Sequence, residues 1–428
     1  MNNKSGLTSG SGSAICEGAK GGRIMKRFVI VGAGVAGHRA ALELRRLDAT
    51  AAITLLGDEA GLPYARPPLS KEFLTDAKGQ SDILLESASS YSELNIDYMP
   101  ATVVRSAAPE RHSVLTADGK EITYDRLLLA TGSRPRKLMD AGGRIHYLRT
   151  VEDASRLRAA LRPGCRVTII GGGFIGLEVA AAARAHGCRV TVLEAGPRLL
   201  NRGMPELLGN WVRDLHVGNG VEIILDARVK QILSTDWGGL RVYFNNASLE
   251  ADVVVAGIGV LPNTEVAERA GLHVEDGIVV DMQCRTSVPD VFAAGEVTSY
   301  PLGGDGPNGR TESWKVAGDQ AIVAAKMMAG FDASFRDQAW LWSDQFDTNI
   351  QFIGTHGRAA RHVVRGDPAS RRWTWIALDE YDRPLHAVAV NNGRDISMLR
   401  RAMSMRKALR LPAIPNPSDP FTPIQMAG

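Results

Sequence analysis

The sequence predicts an α/β protein with two Rossmann-like dinucleotide-binding domains followed by a C-terminal α+β domain. Three observations carry this. Lys26-Arg-Phe-Val-Ile-Val-Gly-Ala-Gly-Val-Ala-Gly37 is a short apolar strand running into a glycine-rich turn. Arg166-Val-Thr-Ile-Ile-Gly-Gly-Gly-Phe-Ile-Gly176 repeats that pattern far along the chain. After about residue 331 the alternation of strand and helix gives way to a hairpin pattern. Two separated βαβ units mean two nucleotide sites rather than one.

Taken in order, residues 1–24 are rich in Gly, Ser and Lys and read as a disordered extension, with Met25 a candidate start. The first unit continues into a helix from Gly37 to Leu47 and a strand from Ala52 to Leu56, ending at Gly57-Asp58-Glu59. Arg126-Leu-Leu-Leu-Ala-Thr-Gly132 closes that region. The second unit has a helix from Gly176 to about His186 and a strand from Arg189 to Leu193, ending at Glu194. Asp252 to Gly259 closes it, and a strand over Val288–Glu296 and a helix over Trp314–Met328 follow. The second unit is therefore inserted into the first. Residues 25–137 and 256–330 make one domain, 138–255 the second and 331–428 the third. In the third, Arg372–Asp379 and Pro384–Val390 flank a polar turn and predict an antiparallel hairpin. Asp395 is expected to cap a helix reaching about Leu411, before a proline-rich tail.

In Gly32-x-Gly34-x-x-Gly37 the first glycine makes the tight turn, the second admits a pyrophosphate, and the third lets helix and strand pack. The helix N-terminus offers free N–H groups and the positive end of its dipole. Gly171, Gly173 and Gly176 repeat the arrangement. Asp58 or Glu59 is placed to accept hydrogen bonds from the first ribose, and Glu194 from the second. A carboxylate there repels a 2′-phosphate, so the second nucleotide is expected to be NAD, although Arg198 stands four residues on. The first site carries additions suited to a long, permanently bound FAD. These are the small-residue crossing at Thr131 and Gly132, and Gly295-Glu296, whose carboxylate is placed for ribityl hydroxyls.

Composition narrows the classes. A net charge of +3 with no basic tract interleaved with aromatics gives no case for nucleic acid. The apolar runs are of strand length, so no membrane span is expected. The four cysteines, Cys16, Cys165, Cys188 and Cys284, form no CxxC pair and no metal-ligand spacing. They read as reduced, inert thiols of a cytoplasmic protein. No cysteine lies between the first fingerprint and Lys71, which argues against thiol–disulfide and single-cysteine peroxide chemistry.

Gly57-Asp-Glu-Ala-Gly-Leu-Pro-Tyr-Ala-Arg-Pro-Pro-Leu-Ser-Lys71, the two fingerprints, Ala130-Thr-Gly132, Gly257-Ile-Gly259, Thr311-Glu-Ser-Trp314 and Trp342-Ser-Asp-Gln345 carry a resemblance. From about Phe28 to Leu411 the chain resembles the ferredoxin reductases of bacterial aromatic-ring-hydroxylating dioxygenases, relatives of putidaredoxin and rubredoxin reductases. The resemblance implies a glutathione-reductase-like fold binding FAD and NAD. It also implies electron transfer from NADH to a small [2Fe-2S] ferredoxin, and through it to a terminal oxygenase. By the same resemblance Arg66 and Pro67 cradle the flavin, Lys71 stands beside its N5 edge, and Glu178 pairs with that lysine. Arg134 and, as the better match, Arg136 contact phosphates, Gly259 lines the cofactor site, and Trp314 lies near the isoalloxazine. Read alone, Lys71 and Glu178 are solvated charges and Trp314 a core aromatic. Glu296 departs from the family's usual aspartate by one methylene. Other readings of the same fold are a rubredoxin or monodehydroascorbate reductase and an NADH oxidase. A redox-gated interaction flavoprotein expects a large charged insertion, and none is seen.

On a helix after Asp395, Arg400, Arg406, Lys407 and Arg410 fall within about one third of the circumference at ~100° per residue. With Arg310 and Lys315 they form a candidate docking face for an acidic ferredoxin, or simply a solvated face.

Overall fold

The computed structural model describes residues 25–138, 143–304, 306–336, 338–354, 359–410 and 425–426. The predicted extension at 1–24 and the proline-rich tail lie outside the described residues.

The first unit is built from β1 (Arg27–Val31), α1 (Val35–Leu47), β2 (Ala52–Leu56), β3 (Ile96–Met99) and β4 (Arg126–Leu129), and β5 (Ser133–Pro135) leads out of it. The second comprises β6 (Ile145–His146), α2 (Val151–Ala160), β7 (Arg166–Ile170), α3 (Phe174–Ala185), β8 (Arg189–Leu193), α4 (Glu206–Gly218), β9 (Val221–Ile224) and β10 (Val253–Ala256). β11 (Val260–Pro262) leads back to β12 (Val291–Ala293) and α5 (Trp314–Ala329). β13 (Trp340–Gln345), β14 (Thr348–Gly354), β15 (Arg361–Asp367), β16 (Arg372–Leu378), β17 (Pro384–Val390) and α6 (Gly393–Ser404) follow.

The first sheet runs β12-β4-β1-β2-β3, with every pair parallel. The second runs β9-β8-β7-β10-β6, also parallel. Both faces of such sheets are covered, which is why β1 and β7 read as continuous apolar runs rather than alternating ones. Small residues set the covering layer: Ala36, Ala40 and Ala41 of α1 share one core with Ala317, Ala321 and Ala324 of α5. The two passages between the units, β5 and β11, pair antiparallel as a two-stranded ribbon. Asn263 fastens it, donating to the Thr131 carbonyl at 2.9 Å, while the Thr131 hydroxyl donates to the Asn263 carbonyl at 2.7 Å. The last sheet, β13-β14-β17-β16-β15, is antiparallel and contains the expected hairpin as β16 and β17.

The structure corrects three expectations. α1 and α3 begin at Val35 and Phe174, two residues before Gly37 and Gly176, because the middle glycine of each fingerprint is the N-cap. α6 is capped at Asn392, and Asp395 lies inside its first turn, buried in an ion pair with Arg365 at 3.0 Å. α6 also stops at Ser404 rather than Leu411. Arg406 adopts a left-handed φ of 50°, and Lys407 N–H reaches back to the Ala402 carbonyl at 2.9 Å, a reversal made without glycine. Arg406, Lys407 and Arg410 are therefore off the helix, and the helical spacing that grouped them with Arg400 does not apply. Among the described residues no helix is long and apolar enough to cross a membrane, and no cluster of His, Cys, Asp and Glu could hold a metal ion.

Candidate active site

The two fingerprints fold alike because their sterics are the same. A Cβ on Gly32 would stand 2.2 Å from the Ala130 carbonyl oxygen, and one on Gly171 2.4 Å from that of Gly257. Both also have φ near +107° (108° and 107°), where L-residues are strained. Gly37 and Gly176 pack on the carbonyls of Gly32 and Gly171, at 1.8 and 2.2 Å from a built Cβ. Gly34 and Gly173 differ: nothing lies within 4 Å of either Cβ. The protein itself does not require glycine there, and the open space leaves room for a ligand to approach the backbone. Gly173→Ala should leave the fold intact and raise the KM for the nicotinamide nucleotide about tenfold or more. Gly176→Ala should not fold. An unchanged KM in folded Gly173→Ala would dissociate this turn from binding.

Glu194 follows β8 directly. Its carboxylate accepts from Gly172 N–H at 2.6 Å and Gly196 N–H at 2.7 Å, which fixes it beside the fingerprint turn. Arg198, the residue that left NADP open, is turned away. Its guanidinium donates to the carbonyls of Met204 at 2.9 Å and of Leu199 and Leu200 at 3.4 Å. The corresponding position after β2 is Gly57, since Gly32 and Gly171 donate alike to the last strand residues, Leu56 and Leu193. The acids of the first site are thus displaced by one and two residues. Asp58 is exposed at the mouth of a pocket lined also by Gly34, Leu62 and Tyr98. Glu59 is bound to Arg66 at 2.6 Å and to the Tyr64 hydroxyl at 2.6 Å.

Arg66 is a frame as much as a wall. Besides Glu59 it donates to the Arg149 carbonyl at 2.6 Å. Pro67 then opens a short 3-10 helix, Pro67–Ser70, that delivers Lys71 inward. Lys71 Nζ lies 3.0 Å from Glu178 Oε1, and both side chains are buried, 8% and 3% exposed. The hydroxyls of Ser70 and Ser343 also donate to Glu178, the latter at 2.6 Å. Burial pushes the Glu178 carboxyl above its ordinary range, against the pull of Lys71, Ser343 and Ser70. Lys71 also lies 5.7 Å above the Trp342 ring, which packs edge-on against Trp314 at 6.4 Å.

Trp314 begins α5, with Arg39 over its ring at 4.8 Å. Among the described residues its buried Nε1–H has no acceptor, which fits a ligand acceptor at this wall. Gly295, at φ 91°, faces Ala36 and donates its N–H to Gln320. Glu296 beside it accepts from Ser133 at 2.7 Å and pairs with Arg149 at 2.7 Å. Burial pushes the Glu296 carboxyl up, but Arg149 and the Ser133 hydroxyl outweigh it and hold it below the ordinary range. Sequence reasoning missed Arg149, Ser70, Ser343 and Tyr64. The only local signal near Arg149 was the Thr150-x-x-Asp153 capping box that follows it.

Arg134 pairs with Glu265 at 2.7 Å. Arg136 is exposed and its N–H donates to the Gly259 carbonyl at 2.9 Å. Arg310 is only 9% exposed and is held by Asp276 and Glu312, and Lys315 is paired with Asp319. Neither is the open surface charge expected of a docking face. Cys165 and Cys188, unpaired by sequence spacing, stand with sulfurs 3.3 Å apart where β7 and β8 begin, the sheet edge opposite the fingerprints. Burial pushes the Cys188 thiol up to about 12.

Residues 26–321 match the model of the pyridine nucleotide-disulphide oxidoreductases, and residues 340–424 match that of the reductase C-terminal domain. The chain is 46% identical over 382 residues to the anthranilate 1,2-dioxygenase system ferredoxin–NAD(+) reductase component of Burkholderia cepacia, covering 88% of this chain and 94% of that one. The chain belongs to the ferredoxin–NAD(+) reductase branch of the pyridine nucleotide-disulphide oxidoreductases. A second relative of this reductase is the p-cumate 2,3-dioxygenase system component of Pseudomonas putida, 38% identical over 94% of this chain and 98% of that one. The reductase also superposes on the covalent putidaredoxin reductase–putidaredoxin complex with a TM-score of 0.87 and 33% identity, over 90% of this chain and 94% of that one. Despite the family's name, none of the described cysteines of this reductase is among the partners of Lys71 or Glu178.

Proposed function

We propose that this reductase transfers hydride from NADH to FAD at the Lys71–Glu178 pair and passes single electrons to a small [2Fe-2S] ferredoxin that feeds an aromatic-ring dioxygenase or related oxygenase. The observation that carries this is the buried pair itself. It joins the segment running from the first nucleotide turn to the helix opened by the second. FAD, when bound, supplies the exchange between one hydride and two separate electrons. The chain supplies position and electrostatics. Gly34 and Gly173 leave room for the two pyrophosphates. Glu194 accepts from the NADH ribose, while Glu59 and Glu296 serve the flavin side. Thr131, Gly132, Gly259, Arg136 and Trp314 line the flavin cleft. Lys71 holds a positive charge in a dry setting, where it acts on developing charge more strongly than in water.

In this reading residues 25–137 with 256–330 bind FAD, 138–255 bind NADH and 331–428 complete the wall. Sheet membership supports the division: β12 joins β1–β4, and β6–β10 form their own sheet. The cytoplasm, where NADH is regenerated, is its place. The purified protein should carry one FAD per chain, released intact on denaturation; flavin remaining with precipitated chain, or FMN in the supernatant, counts against this. NADH-driven cytochrome c reduction should depend steeply on an added [2Fe-2S] ferredoxin. Equal rates without it, with oxygen consumed instead, would favour an NADH oxidase.

A further inference from the structure

Glu178 is the end of a longer buried line. Ser343 Oγ donates to Glu178 Oε1 at 2.6 Å, and Gln345 Nε2 donates to Ser343 Oγ at 2.9 Å. His216 Nε2 stands 2.8 Å from Gln345 Oε1. The four side chains are 3%, 1%, 0% and 0% exposed, in order from Glu178 to His216. They come from α3, from two alternate positions of β13 on one face of its sheet, and from α4. The line therefore ties the C-terminal sheet to the second nucleotide unit and, through Lys71 and Ser70, to the first.

Donor counting fixes its direction. The single Ser343 proton is spent on Glu178, so Ser343 must accept from an amide N–H, which orients Gln345. The carbonyl of Gln345 then faces His216 and requires a proton on Nε2. Every dipole in the line donates toward Glu178. Aligned hydrogen bonds in a low-dielectric interior polarise one another and favour negative charge at the accepting end. His216 Nδ1 is buried with no partner among the described residues, as suits a neutral ring protonated only at Nε2. Burial lowers its proton affinity in the same sense, and Phe346 packs edge-on at 5.1 Å.

We infer that Ser343, Gln345 and His216 are positioning residues for hydride transfer: they form one unidirectional hydrogen-bond line that holds Glu178 in the geometry and charge state by which it holds Lys71. This rests on the role proposed above for the Lys71–Glu178 pair. The wild-type line does not depend on a bound nucleotide, so its direction can be read directly. In long-range 1H–15N spectra, assigned by difference against His216→Phe, His216 should be the Nε2–H tautomer at pH 7. An Nδ1–H tautomer would reverse the line and overturn the inference.

The functional arm follows flavin bleaching by NADH in a rapid-mixing instrument. Ser343→Ala should slow bleaching at saturating NADH about tenfold, the loss of one hydrogen bond to a charged group, and Gln345→Met, which removes only a neutral bond behind it, about threefold. The apparent Kd for NADH and the FAD content should be unchanged, and Ser343→Thr should recover most of the rate. Ser343→Ala combined with His216→Phe should be no slower than Ser343→Ala alone, because His216 acts only through Ser343. Additive losses, a raised Kd without a rate change, or no rescue by threonine would overturn the inference and leave a packing role. Lys71→Met separates the two levels. If it bleaches at the wild-type rate, the role of the pair falls. If it is slow while Ser343→Ala is not, only the line falls.

Discussion

Glu178→Ala should lower the stability of the reductase by about 3–5 kcal/mol and slow hydride transfer about 10²-fold or more. The stability loss follows from what is left behind. Lys71 is 8% exposed and its other near neighbours are the Pro67 carbonyl at 3.5 Å and the face of Trp342. Without Glu178 an ammonium group is buried with no counter-charge, and the hydroxyls of Ser70 and Ser343 lose their acceptor. Urea denaturation of the holoenzyme measures the first effect, and flavin bleaching at saturating NADH the second. Replacing both partners, Lys71→Met with Glu178→Leu, should restore part of the stability, because it removes the unpaired ammonium, while the Ser70 and Ser343 hydroxyls still lack their acceptor. The rate should stay low. A Glu178→Ala protein with the native urea midpoint and native bleaching would show the pair to be solvated and idle.

The second large effect concerns the choice of nucleotide. The native enzyme should prefer NADH over NADPH by about 10²-fold or more in kcat/KM, and Glu194→Arg should remove or reverse that preference. Both oxygens of Glu194 are pinned by backbone N–H groups, so the carboxylate cannot swing away from a 2′-phosphate. Arg198 could offset the repulsion only by leaving its carbonyl partners at Leu199, Leu200 and Met204. Glu194→Ala should give an intermediate result, with some loss of stability from the two freed N–H groups. Equal kcat/KM for the two nucleotides in the native protein would refute the assignment.

What was legible in the sequence was what is decided locally. The third glycine of each fingerprint answers to a carbonyl of its own turn, that of Gly32 or Gly171. Glu194 follows directly on a strand whose end is written in its apolar run. The hairpin of β16 and β17 follows from two alternating segments and a polar turn. The Lys71–Glu178 and Glu296–Arg149 pairs are of another kind: their partners lie 107 and 147 positions apart, and only the packing of the two sheets brings them together. Resemblance supplied the first pair, and nothing supplied Arg149. The end of α6 was misplaced because the left-handed residue that stops it is Arg406, where a sequence reader looks for glycine. The approach of Cys165 and Cys188 follows from the parallel register Arg166↔Arg189, a property of the sheet and not of cysteine spacing.

The insertion also orders events during synthesis. β4 ends at Leu129, yet its outer neighbour β12 begins at Val291, and the helix that covers α1 begins at Trp314. At a ribosomal rate of about 5–20 residues per second, the open edge of β4 waits roughly 8 to 30 seconds for its partner and the alanine face of α1 roughly 13 to 53 seconds. The sheet of β6–β10 is contiguous and complete by Ala256, so it closes while the earlier strands remain half-covered. The segment made first is finished only after the unit inserted into it, and until then its uncovered alanines and unpaired strand edge are open to wrong partners.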